Sequence, residues 1–291
     1  MIRLSCIIIL FLNMFQKMNC NRVPCEILPG VPIGFVEDPD IQEMSGLGVS
    51  LINLGVLWTI NDHGGKPEVY AVSETGELVL TLELEDQVNV DWEDIAVAVF
   101  DNKSYIYVSD TGNNDFNRTS ISVLRFAEPL VEMNNKKKIL INKDDIDVYR
   151  AAYPGFSHDC EALAVDPSNG DIFLFTKDRV HAISEVYKFP FPQSSSDVFI
   201  LEHVVTLPSY WITGGDISPS GRILALTNKQ DAFAWERPAN ISWSQFLQTN
   251  PGACTLVLEE EEQRESIAVT NTGYWTVSEC KSCPLWFYSR V

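Results

Sequence analysis

The chain is poor in positive charge and in histidine. It has 40 Asp and Glu residues against 21 Lys and Arg residues, which gives a formal net charge of −19, and it has four histidines. Nucleic acids and anionic membranes are bound by basic residues that displace counterions, so this balance argues against both as partners. Cations, basic proteins and neutral ligands fit the charge better.

Long apolar runs are confined to the beginning of the sequence. Residues 4–15 are mostly apolar and follow Arg3, and they are too few to span a bilayer. These proportions are typical of a signal peptide, which we place at residues 1–20. We therefore expect residues 21–291 to form a single secreted domain, monomeric and without a membrane segment. Three sequons, at Asn102, Asn117 and Asn240, predict glycosylation.

Several catalytic signatures are missing from the sequence. It has no GxSxG nucleophile elbow, no phosphate-binding glycine loop of the nucleotide type and no HExxH zinc motif. These absences leave no complete catalytic constellation that can be recognised from sequence.

Cysteine is scarce and odd in number after the predicted signal peptide. In an oxidising compartment, the spacing of "CKSC" predicts a bridge between Cys280 and Cys283, and Cys25 with Cys254 is a candidate second bridge. Cys160 is then left as a free thiol on a buried strand. A zinc site built from Cys25, Cys160, Cys254 and Cys280 is the alternative interpretation.

A repeated motif organises the rest of the chain. The stretch "WEDIAVAV" at 92 has relatives in "CEALAVDP" at 160 and "RESIAVTN" at 264, and weaker copies are "MSGLGVSL" at 44 and "ITGGDISP" at 212. The residues that lead these copies are Ser45, Glu93, Glu161, Thr213 and Glu265, spaced 48, 68, 52 and 52 residues apart. A period near 50 residues is typical of the blades of a β-propeller.

A second strand follows each lead residue. These strands end near Asp62, Asp110, Lys177, Asn228 and Glu279, at offsets of 17, 17, 16, 15 and 14 residues from the leads. Third and fourth strands recur behind them. Because the second strand runs antiparallel to the first, we expect its end to return to the face where the leads lie.

Five leads predict an all-β, five-bladed propeller. The last repeat ends before its fourth strand, so we expect residues 31–37 to complete that blade and close the ring. The interval between Glu93 and Glu161 is long enough to hide a sixth blade, but its Lys-rich stretch "EMNNKKKI" reads as a hairpin. A β-sandwich does not explain the period.

Five longer stretches of the sequence are distinctive: "WTINDHGGKPEVYAV", "VDWEDIAV", "YIYVSDTGNN", "HDCEALAVDPSNGDIFLFTK" and "ITGGDISPSGRILALTN". Together they resemble a family of secreted propellers without an assigned activity, grouped with TolB-like and esterase-like-phytase propellers. This resemblance implies the propeller fold. By analogy with more distant propellers, it also implies channel carboxylates that hold calcium or serve as acid and base.

The leads and the second-strand ends together predict an acidic mouth at one end of the channel. We predict Glu93, Glu161 and Glu265 as ligands of a calcium ion, because calcium prefers oxygen ligands in irregular geometry. Further ligand-binding residues are predicted at the mouth: Asp62, Asp110, Lys177, Thr213, Asn228 and Glu279. The simpler explanation is that such acids hydrogen-bond to backbone amides of the next blade.

Two classes of function follow from this mouth. In the first, the protein binds a cation and a small-molecule or protein ligand without catalysis, and we favour this hypothesis. In the second, it is a calcium-dependent hydrolase of an ester, lactone or phosphate, and His63, His158 or Glu161 activates water.

Overall fold

The computed structural model describes residues 26–133, 136–208, 211–261 and 263–290. In these residues the strands are, in chain order, β1 (Val31–Val36), β2 (Met44–Val49), β3 (Val56–Asn61), β4 (Glu68–Ser73), β5 (Leu78–Leu84), β6 (Trp92–Phe100), β7 (Lys103–Asp110), β8 (Ile121–Ala127), β9 (Lys137–Ile141), β10 (Asp147–Ala152), β11 (Cys160–Val165), β12 (Ile172–Thr176), β13 (Ser184–Phe189), β14 (Phe199–Ile200), β15 (Glu202–Leu207), β16 (Ile212–Ile217), β17 (Ile223–Asn228), β18 (Ala232–Glu236), β19 (Cys254–Thr255), β20 (Arg264–Val269), β21 (Gly273–Ser278) and β22 (Cys283–Ser289). A 3₁₀ helix (Lys143–Asp145) and a short helix α1 (Trp243–Gln248) interrupt them. The predicted signal peptide and Cys25 lie outside the described residues.

The strands of the described ranges form five sheets around one axis. The innermost strands are β2, β6, β11, β16 and β20, and each contacts the next until β20 contacts β2. We number the blades 1 to 5 in the order of these inner strands. The predicted five-bladed propeller is confirmed, and each predicted lead residue lies on the inner strand of a blade.

The ring is closed by the amino-terminal strand. Strand β1 pairs antiparallel with β22, so that Val31 lies opposite Phe287 and Val36 lies opposite Cys283. Blade 5 therefore combines the beginning of the described chain with its end, as the sequence predicted.

In the described residues, the long interval between the leads Glu93 and Glu161 contains no sixth blade, and its Lys-rich stretch forms an edge strand where the sequence predicted a hairpin. Strand β9 from the Lys-rich stretch pairs parallel with β5 at the edge of blade 1, where Leu80 lies opposite Lys137. The ammonium of Lys138 holds it there, at 2.7 Å from Glu68 and 2.6 Å from Glu83. Strand β14 extends blade 2 in the same way.

Apolar side chains fill the wedge between each pair of neighbouring blades. Between blades 1 and 2, Trp58 and Trp92 are fully buried together with aliphatic residues of both sheets. Closer to the axis the blades converge, and the inner strands carry small residues such as Ala96 and Ala162. Burial of each large apolar side chain stabilises the fold by about 1.5–3 kcal/mol.

A single carboxylate ties three blades together at the axis. Asp94 of β6 is fully buried; its Oδ2 accepts the backbone N–H of Leu163 in blade 3 at 2.8 Å and that of Gly215 in blade 4 at 3.1 Å. Its Oδ1 accepts the N–H of Ile95 at 2.8 Å. Gly46 of blade 1 packs so closely that a Cβ there would lie 2.8 Å from the Asp94 Cα, and its φ of +73° also favours glycine. Because blades 2 and 4 are not neighbours, this carboxylate crosses the channel.

Other polar groups join neighbouring blades. Asp216 Oδ2 of blade 4 accepts the N–H of Val269 in blade 5 at 2.7 Å. The hydroxyls of Ser45 and Thr111 donate to backbone carbonyls of the following blade, at 2.5 Å and 2.8 Å. The simpler explanation for the acidic leads was hydrogen bonding to backbone amides of the next blade. In the structure, Asp94 and Asp216 make such bonds instead.

No helix in the described ranges is both long enough and apolar enough to cross a membrane.

The buried acid Asp216 predicts a pH-dependent stability. Burial raises the pKa of Asp216 to about 8, although hydrogen bonds from Val269 and Ile217 act in the opposite direction. Above pH 4 the unfolded state has lost this proton while the folded state keeps it, so folding stability falls as pH rises towards 8. The Asp216→Asn variant keeps an oxygen acceptor for Val269 and loses the proton. In urea unfolding between pH 5 and 8, it should therefore gain about 1 kcal/mol per pH unit relative to the wild type.

The matched control is Asp197→Asn, because Asp197 is exposed. Its stability relative to the wild type should stay constant with pH. A pH-independent difference between Asp216→Asn and the wild type would show that Asp216 is ionised in the folded state throughout this range.

Candidate functional site

The lead residues lie at β-bulges, which turn them into the mouth of the channel. In four inner strands the pairing register skips the lead itself, at Glu93, Glu161, Thr213 and Glu265. In β2 it skips Gly46, directly after Ser45. A bulged residue leaves the ladder, so its side chain can be re-aimed. All five leads are buried.

The two hydroxyl leads bond to protein backbone. Thr213, predicted as a ligand-binding residue, donates its hydroxyl hydrogen to the carbonyl of Arg264 at 3.0 Å, as Ser45 does to the carbonyl of Glu93. Both therefore join neighbouring blades at the mouth. The acidic leads Glu93, Glu161 and Glu265 supply its charge.

Two groups of carboxylates meet at the mouth and share Glu93. The first group is Asp62, Asp91 and Glu93, and the second is Glu93, Asp159 and Glu161; in each, one oxygen per residue lies within 4.8 Å of the others. Asp91 and Asp159 stand two residues before the leads of blades 2 and 3. The sequence prediction did not assign them to the site.

Glu93 is a buried carboxylate without a partner. Its residue is 3% exposed, and neither side-chain oxygen has a hydrogen bond or ion pair with any of the described residues. Burial raises the pKa of Glu93 well above its usual range, and the neighbouring acids Glu161, Asp62, Asp91 and Asp159 raise it further. An unpaired carboxylate is costly to bury, so Glu93 either keeps its proton or binds a ligand of positive charge.

The loop after β7 packs closely on this carboxylate. A Cβ at Gly112 would lie 2.0 Å from Glu93 Oε1 and 2.4 Å from Asp91 Cγ. Only glycine fits there, because any side chain would occupy the space that the first carboxylate group needs.

The second group already has basic partners. Lys177 Nζ lies 2.6 Å from Glu161 Oε2, and Arg179 Nη2 lies 3.3 Å from Asp159 Oδ2. Burial raises the pKa of Glu161 to about 8, against the lowering effect of Lys177. Burial alone would lower the pKa of Lys177, but attraction to Glu161, Glu265 and Glu93 outweighs it and raises that pKa. Among the described residues, His63 is the only one with a basic side chain that contacts a carboxylate of the first group.

Glu265 lies at the same mouth but apart from both groups. Lys229 Nζ is 2.9 Å from its Oε1. Its charge still acts on neighbours: burial raises the pKa values of Asp62 and Glu279, and repulsion from Glu265 adds to both. The predicted set of Glu93, Glu161 and Glu265 therefore shares one mouth, while the compact groups are completed by aspartates instead of by Glu265.

The register corrects one predicted equivalence. Asp62, Lys177 and Glu279 occupy matching positions, because their backbone N–H groups donate to the residues two before the leads of their own blades. Asp110 and Asn228 lie one residue earlier, within the paired strands. Both make local contacts: Asp110 pairs with Arg118 at 2.8 Å, and Asn228 Oδ1 accepts the N–H groups of residues 230 and 231.

The two candidate histidines differ in place. His63 lies at the rim, its ring 72% exposed and its Nδ1 3.0 Å from Asp91 Oδ1. His158 packs against Tyr153, and its Nε2 lies 2.9 Å from the hydroxyl of Tyr187. Burial lowers the pKa of His158. Of the two, only His63 contacts a carboxylate group of the mouth.

A cavity of about 280 Å³ opens beside the first carboxylate group. Of the first group, Asp62 lines the cavity, together with His63, Asp40, Lys66 and Tyr70. A ligand in this cavity would contact Asp62 of the first group and His63 beside it.

The missed aspartates had a signal in the sequence. Both stand in the pattern Asp-x-Glu directly before an inner strand, in "VDWEDI" and "HDCEAL". The pattern is present in blades 2 and 3 alone, and these blades supply every carboxylate of the two groups except Asp62 of blade 1.

The cysteines agree in part with the prediction. Cys280 and Cys283 are bridged, Cys254 is also disulfide-bonded, and its predicted partner Cys25 lies outside the described residues. Zinc ligation by these bridged cysteines is therefore wrong. Cys160 is free and fully buried, and burial raises the pKa of its thiol to about 12, so the thiol is protonated.

Comparisons with known proteins add no family to this description. No protein-family model matches the chain, and no curated protein matches it. The resemblance to TolB-like and esterase-like-phytase propellers is therefore confirmed only at the level of the five-bladed fold.

Proposed function

We propose that the protein is a secreted binding propeller whose mouth holds a calcium ion between Asp62, Asp91 and Glu93. The observation that carries the proposal is Glu93, which is buried among four other carboxylates and has no hydrogen bond or ion pair with the described residues. A divalent cation supplies the missing positive charge at close range. Glu161 and Glu265, which the sequence predicted as ligands, are not part of this proposed site. Each lies at the same mouth and is paired with a lysine.

The donor set and its spacing support calcium over other metals. The first group offers carboxylate oxygens, which hard cations prefer, and its oxygens lie within 4.8 Å of one another. Calcium binds oxygen at about 2.3–2.6 Å, so two ligand oxygens on opposite sides of the ion are about 4.6–5.2 Å apart, which the spacing of the first group fits. With one oxygen from each, three carboxylates supply fewer than the roughly 6–8 oxygens that calcium takes, so water or a bound ligand would complete the coordination.

Secretion remains part of the proposal. It is supported by the disulfide between Cys280 and Cys283 and by the exposure of the three sequon asparagines, Asn102, Asn117 and Asn240. Exposed sequons are accessible to glycosylation, and structural disulfides are typical of oxidising compartments. The ligand of the mouth is then an extracellular cation together with a small molecule or a protein.

Calcium should stabilise the folded protein. A ligand that binds only the folded state raises stability by the logarithm of its concentration, so calcium at about 100 times its dissociation constant should raise the melting temperature by about 5–10 °C relative to chelator. In the Glu93→Gln variant the response should fall to less than a third. The measurement is a thermal melt by circular dichroism with calcium and with chelator.

The control is Glu77→Gln, an exposed residue in the turn between β4 and β5, at the opposite end of blade 1. This variant should keep the full calcium response. Identical melting of the wild type in calcium and in chelator would refute the proposed cation site.

Hydrolysis is the second candidate, and one contact favours it. His63 Nδ1 contacts Asp91 Oδ1 and the ring faces the cavity, where an imidazole could deprotonate water bound to a cation. Turnover of a lactone, aryl ester or phosphate ester that is lost both in chelator and in His63→Asn would identify a hydrolase. Without turnover of any of the three, with calcium binding intact, the binding function stands.

A further inference from the structure

The two carboxylate groups of the mouth are built alike on successive blades. Blade 2 contributes Asp91 and Glu93, blade 3 contributes Asp159 and Glu161, and in each blade the aspartate precedes the bulged glutamate by two residues. Because Glu93 belongs to both groups, its carboxylate lies between two potential cation positions. Carboxylates that bridge two metals about 3.5–4 Å apart are a common arrangement in two-metal sites.

The groups differ in the positive charge that they already contain. Lys177 Nζ lies 2.6 Å from Glu161, and the Lys177 side chain is only 10% exposed. Arg179 Nη2 lies 3.3 Å from Asp159 and 3.8 Å from Glu161, with about half of its side chain exposed. The first group has no lysine or arginine partner among the described residues. The ammonium of Lys177 is thus the buried positive charge of the second group.

Lys177 occupies a position where other blades carry an acid. Its backbone N–H donates to the carbonyl of Asp159, as that of Asp62 donates to Glu43 in blade 1 and that of Glu279 to Gln263 in blade 5. Blade 3 therefore places a cation at the point of the mouth where blades 1 and 5 place carboxylates.

We propose that the ammonium of Lys177 takes the place of a second divalent cation, so that the mouth binds one calcium ion and would bind two without this lysine. The inference rests on the proposed calcium site at Asp62, Asp91 and Glu93. The second position lies between Glu93, Asp159 and Glu161, whose oxygens meet the same spacing as those of the first group. A divalent cation there is repelled by the ammonium at close range and would leave Lys177 without its partner.

Isothermal titration with calcium chloride tests this by stoichiometry. The wild type should bind one calcium ion, and Lys177→Met, which keeps the length of the side chain and removes its charge, should bind two. The double variant Lys177→Met, Glu161→Gln lacks a carboxylate of the second position and should return to one. The matched control is Lys188→Met, which removes a lysine paired with Glu202 at 2.7 Å on the outer strands of blade 3, and it should bind one.

The outcomes separate this inference from the proposed function. One ion in both the wild type and Lys177→Met, with both folded by circular dichroism, overturns the role of Lys177 and leaves the calcium site standing. Two ions in the wild type also overturn it, since the lysine would then exclude nothing. No binding to the wild type but one ion in Lys177→Met would support the role of Lys177 and overturn the proposed calcium site. If Lys177→Met does not fold, the more conservative Lys177→Gln replaces it in the same titration, with the same expected stoichiometry.

Discussion

The carboxylate of Asp94 is the contact on which the geometry of the channel depends. It accepts backbone N–H groups from blades 2, 3 and 4, and its bond to Gly215 crosses the axis. Burial raises the pKa of Asp94 well above its usual range, against the effect of these three amides. Gly46 and Gly215 both pack closely at the axis, Gly46 against Asp94 itself and Gly215 through its hydrogen bond to this carboxylate.

Neighbouring acids on one strand have opposite roles in this arrangement. Asp94 is satisfied by the protein, and its interactions hold the blades in place. Glu93, one residue earlier, stands at the bulge and has no partner among the described residues. The difference arises because the bulge turns Glu93 into the mouth, while Asp94 continues in the ladder and points to the axis. The fold thus fixes the position of a carboxylate that it does not neutralise.

Most of the architecture could be predicted from the sequence, because it is repeated. The period near 50 residues, the small and apolar inner strands and the missing last strand predicted five blades closed by β1. The gathering of Glu93 and Glu161 at one mouth followed from the same alignment. The Lys-rich stretch was correctly excluded as a blade, but its pairing with β5 is a contact between distant segments that no local pattern predicts.

The composition of the carboxylate groups could not be predicted, because it depends on side-chain direction. A one-residue difference in register separates Asp62 and Lys177, which face the mouth, from Asp110 and Asn228, which make local contacts. Variable offsets between the strands hid this difference. Likewise, the pairing of Arg179 with Asp159 joins a loop to the start of an inner strand, and only the folded chain shows it. The Asp-x-Glu pattern was the one local signal for Asp91 and Asp159.

The central claim is that the unpaired carboxylate of Glu93 binds a cation together with Asp62 and Asp91. The most direct measurement is an anomalous difference map from crystals of the protein soaked in a terbium salt, since terbium replaces calcium at oxygen sites. The account predicts a peak about 2.3–2.6 Å from carboxylate oxygens of Asp62, Asp91 and Glu93. A map without a peak at Glu93, in crystals that bind terbium elsewhere on the surface, would contradict it.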